Sequence, residues 1–344
     1  MTETRTIAKQ KRKTSFRSTA DVLFGCFALF CLTLILKNSE VAIEYITRGL
    51  LLCAETVIPS LFPFMVLSEL IVSGGLLNRL PKALLAPLRR LFGLPDVGLC
   101  AMLLGLLCGF PVGAKCAVLA FEQGYLTREE TERALTYTSP PSSAFLISAV
   151  GVSLWGNRRF GITLYLTVLA VSLITGILAN LLRKNKGTED LSSASFFQKA
   201  PTYCGAKLFT EAIKSALGSI LLVCAYVVFF SALMGAFQLV LGSFDLSQNV
   251  SAFLSCLLEL SSGVGQASSL SDALTGAYLC AFAAGWSGVS VHCQMLSVCD
   301  GKGISLRPYL CAKIFQGVLC ALLFGILLAI FPEIMIPAEV CGKR

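Results

Sequence analysis

An apolar run from Val97 to Phe121 is interrupted at its centre by the segment GFPVGAK, Gly109 to Lys115. The run is long enough for one tilted membrane span. However, proline removes a backbone donor and clashes with the preceding turn, and glycine adds conformational freedom. The sequence therefore favours two half-helices that GFPVGAK joins into a re-entrant hairpin. The alternative is a single kinked span in which Lys115 reaches the membrane surface.

The composition indicates that this hairpin lies in a membrane. Of the 344 residues, 55% are hydrophobic and only 14% are charged, whereas soluble domains carry about 25% charged residues. A basic arm, residues 1–19, precedes the first predicted transmembrane helix, residues 20–37, and favours a cytoplasmic N-terminus. We interpret this helix as retained rather than as part of a signal peptide, because no clear cleavage site follows it. No nucleic-acid partner is expected, because the arm is short and no binding module follows it.

The cysteines do not form a recognisable disulfide or metal pattern. The chain has 15 cysteines and a single histidine, His292, and most of the cysteines lie inside apolar runs without a CxxC motif. Thiols in such positions usually act as small apolar side chains. Neither a metal site nor another cofactor is expected.

A polar stretch, residues 183–204, divides the chain into two halves with matching patterns, and its basic residues favour a cytoplasmic loop. EYITRGLLLC matches EAIKSALGSILLVC, and LCGFPVGAK matches LLELSSGVG, so that Gly113 falls opposite Gly263. The break TYTSPPSSAF in the first half likewise corresponds to GWSGVSVHCQ in the second. These matches predict an internal repeat. The alternative is chance similarity among apolar helices.

The proposed repeats define the organisation of the chain. The first repeat and its following helix cover residues 42–182, the second covers residues 205–331, and residues 332–344 form a tail. The hairpins and broken helices are expected to form a solute-carrying core. Residues 160–182 and 220–241 are expected to contribute to the scaffold against which this core moves.

Charged residues inside apolar runs are the strongest functional signals. A lysine at mid-depth, such as Lys115, costs about 2.5–3.5 kcal/mol and is tolerable beside a cavity or an anion. Glu259 of the second hairpin must be paired, hydrated or protonated. It has four open interpretations: a partner of Lys115, an acceptor for a ligand, a proton carrier or a helix end at the membrane surface. Glu69, after a segment kinked by Pro59 and Pro63, is either a site residue or a structural partner of a basic group.

Each half also contains a candidate broken helix. The spacing from Thr127 to Glu130 predicts a capping box, with a helix that continues until Pro140 and Pro141 interrupt it. The corresponding helix in the second half is expected to break near Ser287. Half-helix ends carry partial charges, and paired breaks in corresponding halves point to a transporter binding site.

The segments IPSLFPFMVLSELI, GFPVGAK and GWSGVSVHCQ resemble the sporulation integral membrane protein YlbJ family, within the nucleoside-recognition, or gate, domain group. That group is similar in architecture to concentrative nucleoside transporters, and the resemblance covers about Ala42 to Ile330. It implies an all-α polytopic membrane protein with two inverted repeats, each with a re-entrant helical hairpin and a broken transmembrane helix. It also implies import of a small polar solute, dipicolinate, across a membrane that surrounds the developing spore.

The expected mechanism is alternating access, with solute bound between the hairpin tips and the helix breaks. The expected partners are this solute and the lipid bilayer. A coupling proton or sodium ion and a homo-oligomeric state both remain open. The candidate substrate-binding residues are Gly109, Pro111, Gly113, Lys115, Thr138, Ser139, Ser142, Glu259, Ser261, Ser262, Gln266, Ser287, Ser290, His292 and Gln294.

Two other functions compete with transport. A non-transporting membrane scaffold or assembly factor is compatible with the sequence, although it gains nothing from charges at mid-depth. The motif GWSG has the form found in intramembrane serine proteases, which need a histidine beside the serine. His292 follows Ser287 by five residues and lies about 140° around a continuous helix. We therefore do not expect an enzyme.

Overall fold

A computed structural model describes residues 22, 25, 26, 28–73, 82–182, 205–242 and 246–336. These residues form helices joined by turns, without a β-strand among them. The basic arm and the polar loop that divides the halves lie outside the described residues, as does the tail after residue 336.

The first half is a series of helices, one of which begins with the predicted capping box. The Thr127 hydroxyl accepts from the Glu130 amide, and the Glu130 carboxylate accepts from the Thr127 amide at 2.8 Å. A short π-helix, Cys53–Val57, joins the second helix to the third. The elements are α1 (Ala28–Lys37), α2 (Ser39–Leu52), α3 (Ile58–Ser73), α4 (Lys82–Phe92), α5 (Asp96–Cys108), α6 (Val112–Glu122), α7 (Arg128–Leu135), a second π-helix (Phe145–Leu154) and α8 (Arg158–Leu181).

The second half begins with the longest described helix. Its helices are α9 (Ala206–Gly242), α10 (Gln248–Leu258), α11 (Leu260–Ser268), α12 (Ala273–Trp286), α13 (Gly288–Cys299) and α14 (Arg307–Ile330), followed by a 3₁₀ turn (Pro332–Met335).

Several of these helices are long and apolar enough to cross a membrane. Within the described ranges there are 4 such helices, α8, α9, α14 and the span that α12 and α13 form together, or up to 6 if each of two bent pairs is one span. One bent pair, Ser39–Val57 with Leu61–Leu67, turns by 49°. The bend confirms the predicted kink, since the segment between these helices contains Pro59 and α3 contains Pro63.

Both glycine-rich segments form helical hairpins. In the first, α5 and α6 approach so closely that a Cβ on Gly105 would lie 3.0 Å from the Cα of Gly113. In the second, a Cβ on Gly263 of α11 would collide with the backbone of Cys256 on α10. The two glycines that the sequence comparison placed opposite each other therefore have the same role, contact between the arms of a hairpin. That the hairpins are re-entrant and the halves inverted stays a prediction.

The helices pack in two groups, which are named for the roles that the sequence leads us to expect. The scaffold group comprises α2, α3 and α9, which share a small apolar core. The carrier group comprises α4–α8, the second π-helix and α10–α14, which enclose the two larger cores. Helix α8, which was expected to contribute to the scaffold, packs against the carrier group: its Phe160 stacks on Trp155 at 4.2 Å between ring centroids and meets Phe324 of α14 edge-on at 5.2 Å. These rings fix α8 to the carrier group.

Candidate functional site

The tip of the first hairpin is fixed to the first helix break. Helix α7 ends at Leu135, five residues before the first of the two prolines that were expected to end it, and the chain then runs without regular structure to residue 142. The amide of Phe110 donates to the carbonyl of Pro140 at 2.9 Å. A Cβ at Gly105 or Gly113 would collide with the carbonyl oxygen of Thr138. Only glycine therefore leaves enough room for the hairpin to contact the non-helical backbone of the break.

The tip of the second hairpin contacts the second break in a comparable way. Helix α12 ends at Trp286, and Ser287 has φ 76°, a left-handed conformation that rarely suits a residue with a side chain. The Trp286 indole donates to the carbonyl of Leu257 at 3.0 Å. A Cβ at Gly288 would lie only 2.9 Å from the amide nitrogen of Leu260. The predicted break near Ser287 is confirmed, and it packs directly against the hairpin tip.

Helix α14 joins the two breaks through residues that the sequence analysis did not single out. Lys313 donates to the carbonyl of Ser139 at 2.9 Å and to the hydroxyl of Ser287 at 3.1 Å. Gln316, one turn further on, donates to the carbonyl of Thr136 at 2.9 Å. These bonds satisfy backbone groups that unwinding of the first broken helix leaves free. The sequence signal that could have identified Lys313 is the one that identified Lys115, a lone lysine in an apolar helix.

Glu259 serves as the N-cap of α11. Its carboxylate accepts from the amides of Ser261 at 3.0 Å and Ser262 at 2.6 Å, and the residue is 2% exposed. A negative charge at a helix N-terminus is favourable, so these bonds account for a buried carboxylate without a basic partner. Among the open interpretations of Glu259, pairing with Lys115 is therefore excluded.

Lys115 instead faces the scaffold group. Its ammonium donates to the hydroxyl of Ser219 on α9. One turn earlier on α9, the hydroxyl of Ser215 donates to Glu69 at 2.6 Å. Lys115, Glu69 and Pro111 line a small cavity of about 30 Å³ at this contact. Of the two interpretations of Glu69, the geometry favours a structural partner.

A hollow of about 70 Å³ lies where both hairpin tips and both breaks meet. Its volume corresponds to that of about two water molecules. The first hairpin contributes Phe110 and the first break Ser142, while the second hairpin contributes Glu259. Ser287 and Gln294 complete its polar wall from the second break and α13. These polar residues of the two halves lie around one hollow, and their binding of a solute stays a prediction.

A larger chamber of about 770 Å³ adjoins the hollow and lies between the scaffold group and α11. The two spaces share Phe145 and Ser261 as lining residues, so these side chains lie between them. Arg48 of α2 is the only charged residue among those that line the chamber in the described part of the chain. The other polar lining is hydroxyl and amide.

An amide network forms the wall of the chamber between α9 and the second hairpin. The Gln266 side-chain oxygen accepts from Ser255 at 2.8 Å and from Gln238 at 3.3 Å. Gln238 lies on α9 and Gln266 on α11, so the network connects the scaffold group with the carrier group across the chamber wall.

The predicted site residues fall into several places. Ser261, Ser262 and Gln266 line the chamber, and Ser142, Glu259, Ser261, Ser287 and Gln294 line the hollow. Pro111 and Lys115 lie in the small cavity at the scaffold. The remaining residues are buried in contacts of the hairpin tips and breaks: Gly109, Gly113, Thr138, Ser139, Ser290 and His292.

The geometry of a serine protease is not formed at Ser287. His292 Nδ1 lies 3.0 Å from the Tyr309 hydroxyl, and its ring meets that of Trp286 edge-on at 4.3 Å. The Ser287 hydroxyl accepts from Lys313 instead. Among the described residues there is also no cluster of three or more potential metal ligands, and their cysteines are free thiols.

Comparison with known proteins gives one informative similarity. No family model and no solved structure matches the chain. The chain is similar to the sporulation integral membrane protein YlbJ of Bacillus subtilis (strain 168), with 28% identity over 337 aligned positions. The alignment covers 87% of this chain and 81% of that protein. With its apolar helices, the chain is an integral, multi-pass membrane protein, and the similarity supports its assignment to the YlbJ family.

Proposed function

We propose that the protein carries a small anionic solute, dipicolinate, across a membrane during sporulation, and that it does so by alternating access. The observation that carries this proposal is the pair of adjoining spaces at the contact between the carrier and scaffold groups. The chamber borders the scaffold group and α11, and the hollow beside it is lined by both hairpin tips, both helix breaks and residues of α3 and α9. A protein with a purely structural role has no need of such spaces.

The sizes of the two spaces support movement rather than a fixed pore. The chamber, at about 770 Å³, lies within the range of about 300–1,000 Å³ that is typical of small-molecule sites. The hollow, at about 70 Å³, is too small for an aromatic dicarboxylate. Passage of solute from one to the other therefore needs separation of the hairpin tips from the scaffold, which is the movement that alternating access requires.

The chamber has suitable groups for a dicarboxylate. The planar guanidinium of Arg48 forms two parallel hydrogen bonds with a carboxylate when geometry permits. Its partner in the free protein is Glu44, four residues earlier on the exposed side of α2. Such exposed pairs contribute only about 0.3–0.5 kcal/mol, so a solute carboxylate can replace Glu44. Ser262 and Gln266 on the opposite wall then offer hydrogen bonds to a second carboxylate.

The biological setting comes from the relative rather than from the geometry. The similar protein is named for sporulation, and the resemblance of this chain to the YlbJ family implies dipicolinate as the solute. Dipicolinate is a flat dianion with a ring nitrogen, so its recognition by one guanidinium and several neutral donors is chemically reasonable.

Uptake into proteoliposomes tests the proposal. Purified protein should accumulate dipicolinate, and parallel assays with other dicarboxylates and with nucleosides define the solute class. Proton and sodium gradients are applied separately. Arg48→Gln should lower dipicolinate uptake at least about tenfold, because a charged hydrogen-bond donor contributes about 1.5–3 kcal/mol. Absence of uptake by stable parent protein would favour the membrane scaffold function instead.

A matched control variant separates recognition from general damage. Arg128 is also an exposed arginine paired with an acid four residues away on a helix, Glu132, but it lies outside the residues that line the chamber. Arg128→Gln should therefore leave uptake unchanged. Equal losses in both arginine variants would remove the assignment of Arg48 to the solute.

A further inference from the structure

Lys313 is a buried cation without an acidic partner. It is 1% exposed and lies about 9 Å from the start of α14, at 1.5 Å per residue. None of the ion pairs among the described residues includes it. Its ammonium is held by the carbonyl of Ser139 and the hydroxyl of Ser287, one from each helix break. A charge in this position needs an explanation other than a salt bridge.

The surroundings of the ammonium are those of a cation site. The carbonyls after α7 lie beyond the C-terminal end of a half-helix, where the helix dipole is negative. In membrane transporters, unwound carbonyls and half-helix C-terminal ends are the groups that coordinate sodium ions or protons. The ring of Tyr309 lies 6.0 Å from the ammonium nitrogen, at the limit of a cation–π contact. The ammonium of Lys313 is thus surrounded by oxygen dipoles and one aromatic ring instead of by a carboxylate.

Gln316 provides a neutral comparison within the same helix. It is buried, 3% exposed, and donates to the carbonyl of Thr136 in the same break. Gln316 therefore shows that one neutral donor is enough to satisfy a free carbonyl of the break. Lys313 adds a positive charge to this role and reaches both breaks at once.

We propose that the junction of the two helix breaks is a cation site and that the ammonium of Lys313 permanently fills it. The protein consequently needs no free sodium ion at this junction. The further consequence, sodium-independent transport of solute, rests on the proposed function. Lys313 positions the two breaks relative to each other rather than contacting the solute.

Thermal unfolding of purified parent, Lys313→Ala and Gln316→Ala proteins tests the site without any transport assay. Unfolding is followed by tryptophan fluorescence, since one of the 2 tryptophans, Trp286, adjoins Ser287. Samples contain choline chloride, sodium chloride or methylammonium chloride at equal ionic strength. Loss of the ammonium should lower the melting temperature of Lys313→Ala by about 5 °C or more, because buried oxygens lose their partner.

The salts distinguish a cation site from an ordinary hydrogen bond. Sodium or methylammonium should restore much of the lost stability of Lys313→Ala in a saturable manner, whereas choline should not. Gln316→Ala should melt early in all three salts alike, and the parent should be insensitive to them. The proposal is overturned if no small cation stabilises Lys313→Ala more than Gln316→Ala, or if sodium saturably stabilises the parent.

Two further measurements keep the proposal testable on its own. If Lys313→Ala does not fold, the parent measurement in sodium against choline still decides whether a free sodium site exists. Dipicolinate uptake by the parent should be unchanged when choline replaces sodium on both sides, and a requirement for sodium would overturn the proposal. If the parent takes up no dipicolinate, the proposed function fails while the unfolding measurements still decide the cation site.

Discussion

The two hairpins have the same architecture but satisfy their backbone groups in different ways. At the first tip, the amide of Phe110 depends on a carbonyl of the neighbouring break, and the glycines of α5 and α6 enclose the Thr138 carbonyl. At the second tip, Glu259 satisfies the amides of Ser261 and Ser262 from within the hairpin. The first tip is therefore clamped to its break, while the second carries its own hydrogen-bond partners.

This difference assigns different roles to the hairpins. A tip that depends on its break cannot separate from it without leaving polar groups unsatisfied in the membrane, which is costly. The second tip is also bonded to its break, through the Trp286 indole and the Leu257 carbonyl, but its own amides keep their Glu259 acceptor on separation. Its arm α11 lines the chamber with Ser262 and Gln266. We infer that the first hairpin is an anchor and the second a wall of the solute path.

The largest expected effect comes from filling the glycine contact of the first hairpin. Gly113→Ala places a methyl group on the Thr138 carbonyl, so it should destabilise the protein by about 3 kcal/mol or more and reduce the yield of folded protein. Gly265→Ala in the second hairpin meets nothing within 4 Å and should gain up to about 1 kcal/mol from helix propensity. Melting temperatures of the two variants measure the difference. Similar stability of both variants would refute the clamped tip.

A smaller effect is expected from the cap of the second hairpin. Glu259→Ala leaves the amides of Ser261 and Ser262 without their acceptor, so unfolding should become easier by about 2–3 kcal/mol. Glu259→Gln keeps one acceptor oxygen and should lose about half as much. Denaturation of both proteins in mild detergent supplies the comparison. A Glu259→Gln protein as unstable as Glu259→Ala would mean that the charge, not the cap, is what matters.

The smallest effect is expected from Lys115, which faces Ser219 of the scaffold rather than the chamber. Lys115→Gln retains a donor for Ser219, so stability should change by less than about 1 kcal/mol. Dipicolinate uptake should fall less than it does in Arg48→Gln. The opposite order in the uptake assay would mean that Lys115 binds the solute carboxylate, as the sequence alone had suggested.

Features set by local chemistry were predictable from the sequence. The capping box at Thr127, the bend around Pro59 and the break at Ser287 each depend on a few neighbouring residues, and each is confirmed. The hairpins were predictable for the same reason, because glycine and proline in an apolar run leave few other structures. The inverted relation of the halves stays a prediction.

Features that depend on contacts between distant segments were not predictable. Lys313 and Ser139 are 174 positions apart, and nothing in the local sequence indicates their contact. The chamber likewise combines Arg48 of α2 with Gln266 of α11. The packing of α8 was not predictable because its apolar pattern suits either group, whereas the stacking of Phe160 on Trp155 places it beside the carrier group. Charge in an apolar helix was the right signal, but it did not reveal which way each side chain faces.

The central claim, that α11 lines a solute-accessible chamber, is tested most directly by cysteine modification. The 15 native cysteines are first replaced by alanine, and uptake is verified. Ser262→Cys places a thiol on the chamber wall, and Ala267→Cys places one on the buried side of the same helix, where the native residue is 1% exposed. A membrane-impermeant thiol reagent is then applied to both orientations of proteoliposomes. We predict rapid modification of Ser262→Cys that dipicolinate slows, and none of Ala267→Cys; an unreactive Ser262→Cys, or modification that no dicarboxylate slows, would contradict the account.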